Sequence, residues 1–417
     1  MPALGALAAE PLYVLVDTAI VGHIGTTQLA ALAIASTVLT SGFAIFNFLT
    51  YGTTAQVSRA HGAGQDEEAA RIGAQSQWLA LAIGVALLVL AVAIADPLVT
   101  LMGGEGGVHD DGVTYLRIAA LGAPAFMLAS AGQGYLRGTG DLRTPLLILV
   151  VAQAVNVVLE LLFVYGFDWG LKGSAWGTVI AQLGMAAAFA EVQRRAGWDR
   201  PDPARIRRLI RIGGEIAVRT TALLGVFLVC SALLARVGAP SLGAHQIGYQ
   251  LFLFIALVLD AIAIAGQVLV GRMLGGHDAP GATAAARRMI GWSVVAGAAF
   301  SALLIAGYAV LPEVFTDDDR VVARAHTMWP LLVAMMPFAG AVFALDGILI
   351  GAGDTRYLAV AMVFSAAVSL ALAFTAQAAG WGIAGVWGAL VLFIVVRLVT
   401  LLWRFRTGRW AVEGGFD

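Results

Sequence analysis

The chain has 417 residues, of which 60% are hydrophobic and only 12% charged, with a formal net charge of −1. Soluble domains carry roughly 25% charged residues, so a water-soluble fold of this length is excluded because its surface would lack polar groups. The near-zero net charge says nothing about partners. Cys230 is the single cysteine, which rules out a disulfide framework and a cysteine-based metal site.

Apolar runs long enough to cross a hydrocarbon core of roughly 30 Å recur along the chain. Backbone groups in lipid must bond internally, and the runs lack the alternating period of a barrel, so helices are expected. The reading is of twelve, at 3–23, 29–58, 74–102, 110–138, 143–166 and 171–195, then 208–236, 242–272, 284–312, 320–350, 356–378 and 382–405. The N-terminus runs straight into an apolar helix without a basic lead, so no cleavable signal peptide is expected. A short amphipathic surface helix is expected between Gly62 and Arg71, with a counterpart between Gly275 and Arg288.

Arginines cluster after the even-numbered helices, from Arg59 and Arg71 to Arg404, Arg406 and Arg409. The odd-numbered loops carry Glu105, Asp110, Asp111, Asp168, Glu313 and Asp317 to Asp319 instead. By the positive-inside rule both termini and the linker Arg194–Arg211 lie in the cytoplasm. This linker divides the chain into an N-lobe at 1–195, a connector at 196–207 and a C-lobe at 208–417.

The halves repeat. Gly138-Thr-Gly-Asp-Leu-Arg143 matches Gly351-Ala-Gly-Asp-Thr-Arg356, and Val57-Ser-Arg59 matches Val270-Gly-Arg272, each 213 residues on. Trp169-Gly170 matches Trp381-Gly382 at 212. An even number of helices per repeat inserts both in one direction. The fold class is therefore an all-α integral membrane protein, two six-helix bundles related by a pseudo-two-fold axis along the membrane normal, an architecture suited to alternating access. The Gly-Asp-Arg loops read first as turns, with Gly permitting the bend and Asp capping the next helix.

Ionisable residues inside lipid are costly and are functional candidates by default. Asp17 lies mid-helix, and its repeat mate is Cys230, so this carboxylate breaks the symmetry. Asn156 and Glu160 are four apart and share a helix face. With Asp17 they assemble two carboxylates and an amide, a set suited to a proton or to sodium. Thr178 and Gln133 are further candidates, with interhelical hydrogen bonding as the plain alternative. The second half offers Glu215 and Arg219, four apart and able to pair along a helix, together with Asp260, Asp346, Gln246, Gln250 and Gln267. His245 reads as polar packing.

These segments carry a resemblance. Pro11-Leu-Tyr-Val-Leu-Val-Asp17-Thr-Ala-Ile-Val-Gly-His23, the Gly138–Arg143 loop, Asn156-Val-Val-Leu-Glu160, Trp169 to Gln182, Ala244-His-Gln-Ile247 and Leu345-Asp-Gly-Ile348 together resemble the multidrug and toxic compound extrusion (MATE) family, its DinF-like branch in particular. The resemblance covers nearly the whole chain. It implies secondary active antiport of cationic amphipathic drugs or toxic metabolites against H⁺ or Na⁺ across the bacterial inner membrane. It further implies cation coupling at Asp17, within a network of Tyr13, Gln133, Asn156, Glu160 and Thr178, with a sodium set of Asp17, Asn156, Glu160 and Thr178. Glu160 stands where that branch carries aspartate. Glu215, Asp260 and Asp346 lie in or near segments where other branches place C-lobe carboxylates, and with Arg219 and Gln250 they are the candidates for a C-lobe substrate cavity. The proline expected four turns before Asp17 would be Pro2. No cofactor beyond the coupling ion, no nucleic acid and no partner beyond membrane lipid is expected, and the chain is expected to be a monomer. A lipid-linked precursor flippase is the rival within transport; it calls for a cavity rich in cations, whereas the membrane-embedded cations read from sequence are nearly limited to Arg219. An enzyme or a channel is a more distant rival, since neither a metal or nucleophile cluster nor a repeated filter is present.

Overall fold

The computed structural model describes residues 2–414, leaving aside the side chains of residues 2, 3, 6, 8–13, 41 and 44. Its helices are α1 (Pro2–Gly22), α2 (Thr26–Ile45), α3 (Phe48–Gly62), α4 (Asp66–Ala93), α5 (Ala95–Leu101), α6 (Gly106–Ala120), α7 (Ala123–Gly138), α8 (Arg143–Leu161) and α9 (Leu171–Ala196). There follow α10 (Pro203–Val237), α11 (Ala239–Gly275), α12 (Ala279–Ala306), α13 (Leu311–Phe315), α14 (Asp319–Gly351), α15 (Thr355–Ala378) and α16 (Gly382–Arg406). No strand occurs among the described residues. Nine helices there are long and apolar enough to cross a membrane, and the pair α6–α7, bent by 47°, makes a tenth span. The remaining two expected spans fall on α1 and on the pair α2–α3.

The chain forms two compact units, Met1–Gly213 and Gly214–Asp417, with the division inside α10. Helix ends repeat with the sequence. Gly62 and Gly275 close α3 and α11, Gly138 and Gly351 close α7 and α14, and Asp66 and Ala279 open α4 and α12. Backbone turns repeat too. Left-handed Gly64, Gly140, Asp168 and Gly170 correspond to left-handed His277, Gly353, Gly380 and Gly382.

Each unit packs around one buried helix, α7 in the first and α14 in the second. Small residues decide the approach, as is usual where lipid supplies no hydrophobic drive between helices. A Cβ on Gly134 would lie 2.8 Å from the Thr50 carbonyl, and one on Gly347 would lie 2.1 Å from that of Ala263. These two positions correspond in the repeat and seat α7 on α3 and α14 on α11.

Besides breaks at Ile94 in the expected third helix and after Ala306 in the expected ninth, the helices differ from the sequence expectation in four places. The expected surface helix at Gly62–Arg71 is absent: α4 begins at Asp66, and Asp66, Glu67 and Glu68 form its first turn, where acidic side chains complement the helix dipole. Likewise α12 starts at Ala279, with Asp278 accepting from Gly281 N as its cap. The expected second helix is interrupted at Phe46–Asn47. There Phe43 stacks on Phe126 at 4.6 Å, and Phe48 packs against Gly213, where a Cβ would lie 2.3 Å from the ring. The expected fourth helix bends between α6 and α7, where Pro124 withholds a backbone donor and Gly84 of α4 lies close enough that a Cβ would meet Pro124 at 2.4 Å.

The loops expected to cap helices do so in one half only. Asp141 accepts from Arg143 N and Thr144 N at 3.0 Å each. Asp354 instead accepts from Arg404 Nη2 at 3.2 Å and Nε, while Arg404 lies over the Tyr357 ring.

The segment between α9 and α10 is pinned to unit 1. Gln75 on α4 is fully buried; its amide donates to Arg200 O at 2.8 Å and accepts from Asp202 N at 2.7 Å. Trp78 Nε1 donates to Asp199 O at 3.0 Å, and Arg205 pairs with Glu68. In unit 2 the segment after α16 turns back in the same way. Glu413 Oε1 accepts from Ala279 N at the start of α12, and Gly414 N donates to Leu274 O.

Candidate functional site

In unit 1, α1, α6, α8 and α9 bring polar groups together inside an apolar shell. Asp17 on α1, Asn156 and Glu160 on α8 and Ser174 on α9 are 4%, 1%, 0% and 0% exposed, so each must be satisfied within the protein. Ser174 Oγ donates to Asp17 Oδ1 at 2.7 Å. Asn156 Nδ2 donates to Glu160 Oε1 at 2.7 Å, and Thr178 Oγ1 lies 3.4 Å from the same oxygen. The carboxyls of Glu160 and Asp17 interact electrostatically. Buried Tyr115 on α6 lies against Ser174 and Thr178 and near both carboxyls.

Local sequence explains how the groups meet. Ser174 and Thr178 are four apart on α9, as are Asn156 and Glu160 on α8. Gly173 and Gly177 each precede one of the two α9 hydroxyl residues. A Cβ on Gly173 would fall 2.7 Å from the Phe163 carbonyl carbon, and one on Gly177 would fall 3.1 Å from Glu160 Cγ. Two residues beyond Glu160, the helix widens into a π-helical segment at Leu162–Gly166, a feature frequent at functional sites. From its end Tyr165 Oη donates to Ile20 O at 2.7 Å, so α1 is held at Asp17 and again near its C-terminal end.

Two interacting buried carboxyls resist being ionised together in a low-dielectric interior without a compensating charge. The cluster can therefore hold a proton between them or a small cation among its oxygens. Asn156 Oδ1 is buried without a hydrogen-bond partner, which supplies one further acceptor. Gln133 is placed elsewhere: its Oε1 accepts from Arg137 Nη2 at 3.1 Å. The side chain of Tyr13 lies outside the described residues, as does that of Pro2.

Unit 2 assembles a different site. Asp346 on α14 receives Arg219 Nη2 from α10 and Arg397 Nη2 from α16 on the same oxygen, Oδ2. Asp346 and Arg397 are 4% and 3% exposed, and Arg397 lies over the Phe393 ring at 5.4 Å. Two guanidiniums against one carboxylate leave this triad with an excess positive charge. Glu215 accepts from Thr355 Oγ1. Asp260 is half-buried on α11, Gln250 and Gln246 are exposed, and Gln267 is buried. The expectation that embedded cations are nearly limited to Arg219 is corrected by Arg397, a lone arginine in the apolar run Phe393 to Leu402. That composition was itself the missed signal. Tyr115 and Ser174 were also passed over; Ser174 was legible as the residue one turn before Thr178, whereas nothing in sequence marks Tyr115 apart from its apolar neighbours.

The repeat mate of Asp17, Cys230, is buried. Beside it in sequence, Ser231 donates to Phe227 O, and His245 Nε2 lies 2.9 Å from Ser231 Oγ.

The MatE family model matches residues 2–162 and 216–375. Protein DETOXIFICATION 44, chloroplastic, of Arabidopsis thaliana is 29% identical over 98% of this chain and 82% of its own length. DNA damage-inducible protein F of Escherichia coli strain K12 is 28% identical over 96% of this chain and 90% of its own. A crystal structure of MATE in the bent conformation superposes with a TM-score of 0.89 at 21% identity, covering 98% of this chain and 94% of that one. The fold is thus the twelve-helix, two-bundle fold of those transporters. The duplicated helices, the buried polar cluster and a family model matched across both halves make the chain a member of the MatE family of multidrug and toxic compound efflux transporters.

Proposed function

We propose that this transporter is an antiporter that couples export of cationic amphipathic compounds to uptake of a proton at the Asp17–Glu160 pair. The single observation carrying the reading is that Asp17 and Glu160 are both buried and interact with each other. In lipid such a pair binds a cation strongly, and a cation shifts a conformational equilibrium by its differential affinity for the two states. In the outward-open state the pair takes up its cation, the packing of α1 on α8 and α9 changes, and the compound is released outside. Return to the inward-facing state delivers the cation and reloads the compound. The Ser174 and Tyr165 bonds to α1 are the contacts through which occupancy reaches that helix.

A second reading, sodium as the coupling ion, is favoured by the partnerless Asn156 Oδ1, since sodium takes oxygen ligands and would join Asp17, Glu160, Asn156 and Thr178. The triad in unit 2 supports coupling through unit 1, because Asp346 already carries two guanidiniums. We place the protein as a monomer in the bacterial inner membrane with both termini cytoplasmic, following the arginine distribution.

Efflux of a fluorescent organic cation from proteoliposomes decides the ion. A pH gradient in sodium-free buffer is expected to drive accumulation. Transport that responds to a sodium gradient alone would replace the proton with sodium.

A further inference from the structure

The arginine-rich end of unit 2 contains a cavity of about 500 Å³ that shares no lining residue with the Asp346 triad. One wall is a single stripe of α12, with Thr283, Arg287 and Ile290 at helical spacing. The other comes from α16, with Leu402, Phe405 and Arg406. Both helices pack against α14, which leaves a wedge between them. Trp410 closes it from the segment after α16: its ring is 2% exposed, stacks on Phe405 at 5.2 Å and donates from Nε1 to Phe405 O at 3.0 Å. Glu413 holds that segment to the first residue of α12, so the roof is fixed.

The chemistry of the lining is divided. Arg287 and Arg406 are both exposed and lack a carboxylate partner among the described residues, although Arg404 nearby is committed to Asp354. Beneath them, Ile290 and Leu402 give an apolar floor continuous with the membrane-spanning parts of their helices. Trp292 and Trp403, 69% and 57% exposed, follow Ile290 and Leu402 within two residues, and exposed aromatic side chains mark membrane interfaces. A pair of uncommitted guanidiniums above an apolar floor, at interface depth, matches a phosphodiester with acyl chains attached.

We propose that this cavity binds an anionic phospholipid, with Arg287 and Arg406 on its phosphate and the start of an acyl chain over Ile290 and Leu402. Charge complementarity favours this occupant, and the apolar floor favours a lipid over a soluble phosphate.

The test is native mass spectrometry of the purified full chain in neutral detergent, titrated with phosphatidylglycerol or phosphatidylcholine. Phosphatidylglycerol is expected to remain bound in preference to phosphatidylcholine. R287Q/R406Q should weaken it by about 25-fold, taking roughly a fivefold loss per arginine. R288Q/R409Q, which removes two exposed arginines outside the lining, should retain it. T283W, which fills the wedge without altering charge, should also lose the lipid. Equal loss in both double variants, retention in T283W, or no preference over phosphatidylcholine would overturn the proposal. Displacement by millimolar inorganic phosphate would assign the cavity to a soluble anion instead. None of these readouts depends on transport or on the coupling ion.

Discussion

Ser174 Oγ donates a 2.7 Å hydrogen bond to Asp17 Oδ1, joining the sixth span of unit 1 to the first at the level of the carboxyl pair. Because Asp17 is 4% exposed, no water replaces that donor if it is removed. A hydrogen bond to a charged group contributes about 1.5–3 kcal/mol. Because that donor favours the ionised carboxylate, Ser174→Ala is expected to raise the apparent affinity for the coupling proton about tenfold, with Ser174→Thr close to wild type. Initial transport rate against ion concentration measures this; an unchanged half-saturation point in the alanine variant would detach Ser174 from coupling.

Asp168 and His277 are the two non-glycine residues with left-handed backbone among those described, at φ 58° and 59°. Their repeat mates are Gly380 and Gly64. Left-handed geometry costs an L-residue roughly 1–2 kcal/mol, partly offset by the entropy a glycine loses on folding. Asp168→Gly and His277→Gly should each raise stability by about 0.5–1 kcal/mol, read as a higher melting temperature in detergent, whereas Gly64→Ala and Gly380→Ala should lower it.

Gln75 bridges Arg200 O and Asp202 N through one buried amide. Gln75→Ala leaves both backbone groups without their partner, at a cost of about 1–3 kcal/mol. Limited proteolysis around residues 197–203 should accelerate in this variant while α4 itself stays protected. Unchanged cleavage would show that the ion pairs of Arg205 hold the segment by themselves.

Asp141 lies outside the membrane spans. Burial pushes its carboxyl upward, but hydrogen bonds from the Thr144 hydroxyl and from the Thr144 and Arg143 amides, with the Arg143 charge, bring it below the usual carboxylate range. A depressed folded-state value means the cap stabilises above the unfolded value of about 4 and is lost as pH falls through the folded value. Asp141→Asn should therefore melt lower than wild type at pH 7, with the gap closing below about pH 4. A pH-independent gap would assign the difference to something other than the charge.

Much of the scaffold was legible because repeated residues end repeated helices: Gly138 and Gly351 close equivalent helices and are themselves the sequence match. Asn156 and Glu160 were legible as a pair because helical spacing alone puts them on one face. The break at Phe46–Asn47 was not, since its cause is Phe43 stacking on Phe126 and Phe48 meeting Gly213, contacts between residues distant in sequence. Ser174 and Tyr115 hid for a related reason, as one hydroxyl in an apolar helix has the same local pattern whether it packs or binds. Asp354 shows the converse: its loop matches that of Asp141, yet Arg404 takes the carboxylate, and only the fold reveals the competitor.

The central claim is that the carboxyl pair in unit 1 couples ion movement to export. Uphill accumulation of a fluorescent cation by Asp17→Asn proteoliposomes, under an imposed pH gradient and with substrate binding measured in parallel, tests it most directly. Accumulation is predicted to fall to the level of empty liposomes while substrate affinity stays within a few-fold of wild type. Gradient-driven accumulation at the wild-type rate would contradict it.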